Sequence, residues 1–141
     1  MEISQVRQRL NDTIERARRA AADRRARNDS AARAYDVFLT DRAVPLFRQV
    51  ANALKAAGYQ FTVFTPSGNV RLASDRNADD FIEIGLDTSG DEPAIVGHVS
   101  RARGRRVQES ERAIGARLVE DTTEEQLLEF LMRELTPFVE R

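Results

Sequence analysis

The sequence predicts a two-layer α+β fold: a long N-terminal helix (or helical hairpin), a second helix, an antiparallel sheet of four to five strands and a C-terminal helix. Three observations lead to this prediction. Apolar residues recur at helical spacing over residues 2–57, alternate with polar residues from Tyr59 onward, and return to helical spacing after Thr123. The 141 residues suffice for one ordinary hydrophobic core, so two full domains are not expected.

The first helix carries an apolar pattern of the kind found in coiled coils. Ile3, Leu10 and Ala17 are spaced by seven residues with further apolar residues between them, which makes an incomplete heptad repeat. The predicted interaction residues are Ile3, Val6, Leu10, Ile14 and Ala17. Beyond Ala17 the repeat continues mainly through small or polar residues, which bury little area. We therefore expect residues 1–40 to form a projecting Ala- and Arg-rich helix and residues 41–141 to form the two-layer domain.

Two positions determine where this helical run is interrupted. The side chains of Asn28–Ser30 favour turns, so either one helix runs from Ser4 to Thr40 or a helical hairpin turns here; continuity is favoured because neither Gly nor Pro is present. A clearer boundary lies at Thr40–Pro45, where the first residues can cap a second helix and the proline fits only its first turn. Gly58 then provides the left-handed conformation that ends the second helix near Ala57.

The sheet is predicted from alternating apolar residues and from the turns between them. The first two strands flank Thr65–Asn69, a hairpin loop in which Pro66 presets the turn and Gly68 can adopt positive φ. The third strand spans Phe81–Asp87 and the fourth spans Ala94–Arg101. Short connections between consecutive strands favour antiparallel neighbours.

The C-terminal part of the chain contains one ambiguous stretch and one clear helix. Arg103–Arg106 is predicted as a basic turn, and residues 107–118 fit either a fifth strand or a short helix. Residues 122–126 place Thr three residues before Glu or Gln, which is the pattern of a capping box at a helix start. Pro137 predicts that this last helix frays or stops close to its end.

The charge is nearly balanced overall but unevenly placed. The formal net charge is -1, which argues against binding of polyanions by bulk attraction. Residues 1–34 contain nine Arg against five acidic residues, whereas residues 109–141 contain nine acidic residues against four Arg. The two ends are therefore expected to pair within the chain or between subunits. Lys55 is the only Lys among 22 basic residues, a bias that fits a GC-rich bacterial genome and does not by itself indicate nucleic-acid binding.

Composition excludes several classes of protein. The chain has no Cys, so disulfides, thiolate catalysis and Cys-based zinc sites are excluded. No apolar run is long enough to cross a bilayer, and the N-terminal residues lack the apolar core of a signal peptide. A cytoplasmic location without a membrane partner is therefore expected. The seven Gly residues are isolated from one another, so no phosphate-binding loop and no cofactor are predicted.

One polar cluster is a candidate for metal chemistry. The densest acids in the sheet region are Asp79, Asp80, Glu83 and Asp87, and His98 is the only His of the chain. Two carboxylates on one strand face could hold a divalent cation. No Lys lies nearby to position a nucleophile, and such a pattern is more typical of a solvated strand face. Neither a metal site nor catalytic residues are predicted.

A second cluster is a candidate for anion binding. Its residues are Arg101, Arg103, Arg105 and Arg106. Guanidinium groups bind phosphate or carboxylate through paired hydrogen bonds, so the cluster suits nucleic acid or an acidic part of the same chain. No aromatic residue is interleaved with these arginines to stack on bases.

Two functions follow as expectations from these patterns. The first is a non-enzymatic protein-protein interaction or assembly module that associates with itself, as a homodimer, or with another protein through its N-terminal helix. The alternative is a nucleic-acid-associated protein that uses Arg101–Arg106 and the N-terminal arginines.

Overall fold

The computed structural model of this chain describes residues 1–140 and shows the α+β architecture. Helix α1 (Ile3–Phe38) continues through a π-helical turn (Leu39–Ala43) into helix α2 (Val44–Ala56). Five strands follow, and a 3-10 turn (Val119–Asp121) then leads into helix α3 (Glu124–Val139). The strands are β1 (Phe61–Phe64), β2 (Val70–Ser74), β3 (Phe81–Asp87), β4 (Ala94–Arg103) and β5 (Arg106–Ala113).

The N-terminal run is one continuous helix, as favoured from the sequence, and Asn28–Ser30 do not turn the chain. The boundary predicted at Thr40–Pro45 takes a different form. Thr40 and Asp41 lie inside the π-helical turn, and no side chain caps α2. Pro45 lies in the first turn of α2 as predicted. Proline has no backbone N–H to donate to the carbonyl four residues before it, and its ring crowds that carbonyl. The wider π-helical turn before Pro45 accommodates the proline without ending the helix.

The strands form a single antiparallel sheet in the order β1-β2-β3-β4-β5. Residues 107–118, which fitted a strand or a helix, contribute most of β5 followed by a turn at Gly115. Strand β4 extends two residues further than predicted, to Arg103, which pairs with Arg106 across a two-residue turn. Gly104 has a φ of 62° in this turn, a conformation that favours Gly.

The core lies between one face of the sheet and the helices α2 and α3. Leu72, Ile82 and Ile84 line the sheet side, and Phe47 and Leu127 line the helix side, all fully buried. The ring of Phe130 in α3 lies directly on Gly97 of β4, where a Cβ atom would overlap it. No helix among residues 1–140 covers the second face of the sheet, so the domain has two layers.

The ends of α2 and α3 follow the sequence signals closely. Gly58, with a φ of 94°, ends α2. Thr123 and Gln126 form the predicted capping box: the Gln126 amide donates to the Thr123 hydroxyl at 3.2 Å, and the Thr123 amide donates to the Gln126 side chain at 2.9 Å. Pro137 lies inside the last turn of α3, which ends two residues later at Val139.

Candidate interaction surfaces

The N-terminal half of α1 projects from the domain. Every residue from position 3 to 20 is exposed, and we call this segment the arm. At 1.5 Å per residue the arm is about 27 Å long. Its Ala, Arg, Leu and Gln residues are strong helix formers, which favours a helix in a segment that is exposed throughout.

The predicted interaction residues form an apolar stripe along the arm. Ile3, Leu10 and Ile14 are 78%, 56% and 38% exposed, and Val6 is half exposed. Ala17 continues the stripe toward the domain and is also exposed. Large apolar side chains on an isolated helix are in contact with water here, and contiguous apolar surface of this kind usually marks a binding site.

The seven-residue spacing of the stripe continues along α1 to the domain, and its direction turns about 20° around a straight helix with each heptad. Two rows of residues spaced by seven, mostly apolar but including Arg7, Arg24 and Asn28, define this pattern, which we call the seam. One row contains Ile3, Leu10, Ala17, Arg24, Ala31 and Phe38, and the other contains Arg7, Ile14, Ala21, Asn28 and Tyr35. Both rows end in core residues, because Phe38 and Tyr35 are buried and Ala31 packs against the core. The seam is thus covered by the chain's own domain near its C-terminal end and open over residues 3–24.

Two polar side chains lie near the covered end of the seam. Tyr35 donates its hydroxyl to the Gly68 carbonyl at 2.8 Å, and burial, followed by the charges of Asp36 and Glu83, raises the pKa of the Tyr35 phenol. The side-chain carbonyl oxygen of Asn28 is buried and has no hydrogen-bond partner among residues 1–140. This orphaned acceptor lies where the open seam meets the covered one.

The predicted pairing of the basic and acidic ends is not made by the N-terminal arginines within the described chain. Over residues 1–140, none of the arginines before residue 34 forms an ion pair. The acidic helix α3 instead pairs with Arg42, through Glu124 at 3.7 Å, and with Arg112, through Glu134 at 3.5 Å. The arm therefore presents its positive charge to solvent.

The arginine cluster is placed at the tip of the β4–β5 hairpin. Arg101 is half-buried and donates to Gln108 at 3.2 Å, so it is engaged along the hairpin. Arg103, Arg105 and Arg106 are exposed, and none of them pairs with a carboxylate within residues 1–140. Three guanidinium groups are thus free at one turn, separate from the arm.

A row of side chains crosses the uncovered face of the sheet. This row was not predicted from the sequence. The strand registers place Phe64, Arg71, Glu83, His98 and Glu111 side by side on β1 to β5. Arg71 donates to Glu83 at 2.7 Å and stacks 3.9 Å above the ring centre of Phe81. The His98 ring packs edge-to-face against the Phe81 ring, with the ring centres 5.4 Å apart, and His98 lies 3.7 Å from Glu109. These contacts shield Phe81 from water without a covering helix.

The acids considered for metal chemistry are engaged separately. Asp80 is buried and accepts a hydrogen bond from the Ala102 amide at 2.7 Å, and Glu83 is paired with Arg71. Asp87 accepts hydrogen bonds from the hydroxyl and the amide of Ser89, which lower the pKa of its carboxyl. No group of three His, Asp or Glu residues arranged to hold a metal ion exists within the described residues.

A shallow groove of about 320 Å³ lies between α1 and the loops at the base of the sheet. Ala31, Pro93 and Leu118 contribute to its lining. Arg117 closes one side by donating to Glu92 at 2.8 Å, a contact that lowers the pKa of the Glu92 carboxyl. No signal in the sequence pointed to this groove, because its lining residues come from three separate segments.

Comparison with family models, with curated proteins and with solved structures finds no match for this chain. Within residues 1–140, no helix has both the length and the apolar composition needed to cross a bilayer. The fold defines a two-layer α+β domain with a projecting helix, and the candidate surfaces are the arm and the arginine hairpin.

Proposed function

We propose that this protein is a non-enzymatic assembly module of the cytoplasm that forms a homodimer through its arm. The single observation that carries the proposal is the exposed apolar stripe. Ile3, Val6, Leu10 and Ile14 lie on one side of a helix whose residues are all exposed over positions 3–20. Burying that stripe against a second helix removes apolar surface from water, which is the main driving force of association.

The spacing of the stripe favours a helix as the partner. When apolar residues repeat every seven positions, with a further apolar residue three or four positions after each, their side chains pack between the side chains of a facing helix. The same chain provides such a helix in every copy, so self-association requires no other component. A closed dimer is the commonest form of such assembly.

The decisive experiment is a measurement of mass by light scattering after size exclusion, at low and at high salt. We expect a dimer at both. The open seam, residues 3–24, carries six Arg against three acidic residues, so two copies repel each other and added salt should strengthen rather than weaken the dimer. A dimer that dissociates in high salt would instead indicate pairing of oppositely charged ends.

A matched pair of variants tests whether the stripe is responsible. The double variant Leu10→Glu with Ile14→Glu places charges on the stripe and should give a monomer of unchanged helical content. Gln8→Glu introduces the same residue on the opposite side of the arm and should leave the dimer intact. Glu, Gln and Leu have similar helix propensities, so the comparison isolates contact from helix stability. A monomeric wild-type protein, or a dimer insensitive to the double variant, contradicts the proposal.

A second candidate function is association with nucleic acid through the arginine hairpin. The observation that favours it is the set of three exposed arginines without carboxylate partners among the described residues, Arg103, Arg105 and Arg106. Free guanidinium groups bind phosphate oxygens and release counterions, so affinity should fall steeply with salt.

Binding of labelled duplex and single-stranded oligonucleotides at low salt tests this second function. Replacement of the three arginines by Gln should abolish binding, and the logarithm of affinity should fall linearly with the logarithm of salt concentration. The control replaces Arg48 on α2, which is exposed and lies away from the hairpin. No retention of either oligonucleotide by the wild-type protein contradicts this function and leaves the assembly proposal unaffected.

A further inference from the structure

We infer that the free edge of β5 binds an extended segment of a partner protein, which adds a sixth strand antiparallel to β5 and carries basic residues at alternate positions. Strand β5 is last in the strand order, so within residues 1–140 only β4 pairs with it. Addition of a strand to such an edge is a common mode of peptide recognition. The edge is not part of the arm, and the segment binds whether or not the arms associate.

The backbone of β5 has unpaired hydrogen-bonding groups along this edge. Arg106 pairs with Arg103 across the turn, and just beyond β5 the Ile114 amide donates to the Ile95 carbonyl at 2.8 Å. Successive residues of an antiparallel strand direct their N–H and C=O groups alternately toward and away from the neighbouring strand. Even-numbered residues of β5 therefore bond to β4. The residues whose backbone groups point outward, without a backbone partner within residues 1–140, are Val107, Glu109, Glu111 and Ala113.

The two edges of the sheet differ in length. Strand β1 has four residues, whereas β5 has eight, all of them exposed. Short edge strands are one of the ways in which proteins prevent pairing with other chains, and β1 fits that description. At about 3.4 Å per residue, β5 presents about 27 Å of edge, enough for a segment of seven or eight residues.

The helix side of β5 has room for the side chains of an added strand. A trough of about 280 Å³ lies between β5 and α3. Gln108 and Ser110 line it from β5, and Glu134 and Pro137 line it from α3. Both β5 residues are exposed, so α3 does not close over this side of the edge strand.

The charges on the open face favour a basic partner. Glu109 and Glu111 are exposed and lie two residues apart, about 7 Å along the strand. Glu109 lies 3.7 Å from His98, and Glu111 forms no ion pair within residues 1–140. Directly opposite residues of neighbouring strands share a face, and opposite charges there stabilise the pair. Lys or Arg at alternate positions of the added strand therefore faces these two carboxylates.

The same charges argue against a second copy of β5 as the partner. In an antiparallel pair of two copies, open-face side chains lie opposite open-face side chains. A pair centred on Glu109 or on Glu111 places that glutamate opposite itself. A pair centred on Ser110 places Glu109 opposite Glu111. Like charges directly opposite each other destabilise a strand pair, so a different and basic segment is favoured.

The arginines at the hairpin tip favour an acidic residue at one end of the segment. A strand antiparallel to β5 has its C-terminal end next to Arg106. Arg103 and Arg105 are also exposed there, and no carboxylate within residues 1–140 pairs with any of the three. Guanidinium groups bind carboxylates through paired hydrogen bonds. The favoured segment therefore has alternating basic residues followed by an acidic C-terminal residue.

A synthetic peptide tests the inference on the full-length protein. The probe is Thr-Val-Lys-Val-Lys-Val-Asp, labelled with a dye at its N-terminus, and fluorescence anisotropy at low salt measures its binding. With Asp beside the hairpin arginines, the two Lys residues face Glu111 and Glu109, and their amides point toward β5. N-methylation of both Lys amides should abolish binding. N-methylation of the two Val amides that precede them, which point to solvent, should change the dissociation constant by less than about threefold.

A matched pair of protein variants tests the charges. Glu109→Lys with Glu111→Lys should weaken binding of the probe at least about tenfold, because two attractive pairs become repulsive. The control is Glu125→Lys with Glu129→Lys at exposed positions of α3, which changes the net charge of the protein equally and should have little effect. Equal weakening by both variants would indicate bulk attraction to the protein and would overturn the inference.

Amide hydrogen exchange measured by NMR distinguishes strand addition from attraction to acidic side chains. The probe should slow exchange of the Glu109 and Glu111 amides, whereas the Gln108 and Ser110 amides, already bonded to β4, should change little. Slowed exchange together with sensitivity to Lys methylation establishes the added strand. Binding that leaves the two glutamate amides unprotected, binding that tolerates Lys methylation, or no binding at about 1 mM probe overturns it.

Discussion

Truncation of Leu10 provides a quantitative test of the stripe. Leu10 is 56% exposed in the single chain, and complete burial of a Leu side chain contributes about 1.5–3 kcal/mol. Burial of the exposed part in the proposed dimer should therefore contribute about 1–1.5 kcal/mol per copy, or about 2–3 kcal/mol for two copies. Because each 1.4 kcal/mol is a factor of ten, Leu10→Ala should raise the dissociation constant about 30- to 100-fold.

Sedimentation equilibrium over a range of protein concentrations measures this change. The control is Gln8→Ala, which also introduces a strong helix former but on the opposite side of the arm, and it should leave the dissociation constant unchanged. Leu10 has no place in the core, so the unfolding midpoint of the dilute, monomeric protein should be the same for both variants. A dissociation constant of Leu10→Ala within threefold of the wild-type value would refute the assignment of the stripe as the interface.

Two further predictions concern the domain itself. Gly97→Ala would bring a Cβ atom into the ring of Phe130, and overpacking of this kind should lower the free energy of unfolding by about 1–3 kcal/mol. A denaturant titration measures this change. The control Gly90→Ala lies in an open turn and should have little effect. The raised pKa of the buried Tyr35 phenol predicts a loss of stability in alkali: above a pH of about 10 the unfolded chain releases a proton that the folded state retains, so the free energy of unfolding falls as pH rises. Tyr35→Phe should remove this part of the pH dependence and should cost about 1 kcal/mol at neutral pH through loss of the hydrogen bond to Gly68. Denaturant titrations at pH 8 and 10.5 measure both effects. If the free energy of unfolding of Tyr35→Phe falls as steeply in alkali as that of the wild-type protein, Tyr35 is not the source of the pH dependence.

Local signals in the sequence predicted most elements of the fold. The capping box at Thr123, the Gly after α2 and the hairpin loop around Pro66 each depend on a few neighbouring residues, and each is found where expected. Residues 107–118 stayed ambiguous for a physical reason. Every residue of β5 is exposed, so no alternation of buried and exposed positions was present for the sequence to show.

The candidate surfaces were predicted only in part, because they depend on tertiary contacts. The heptad spacing of α1 is the same near Leu10 and near Phe38, yet the first position is open and the second is buried in the chain's own core. Spacing alone cannot distinguish a helix face that needs a partner from one that already has its partner. The row that contains Arg71 and Glu83 likewise depends on strand register, which pairs residues twelve apart in the sequence.

The π-helical turn between α1 and α2 has a mechanical consequence. Helical backbone continues without a glycine from Ile3 through this turn to α2, and α2 is fixed in the core by the fully buried Phe47. The arm is therefore joined to the domain by rigid helix and not by a flexible linker. A force applied at Ile3 is therefore transmitted as a torque to the segment of α1 in which Tyr35 and Phe38 are buried in the core.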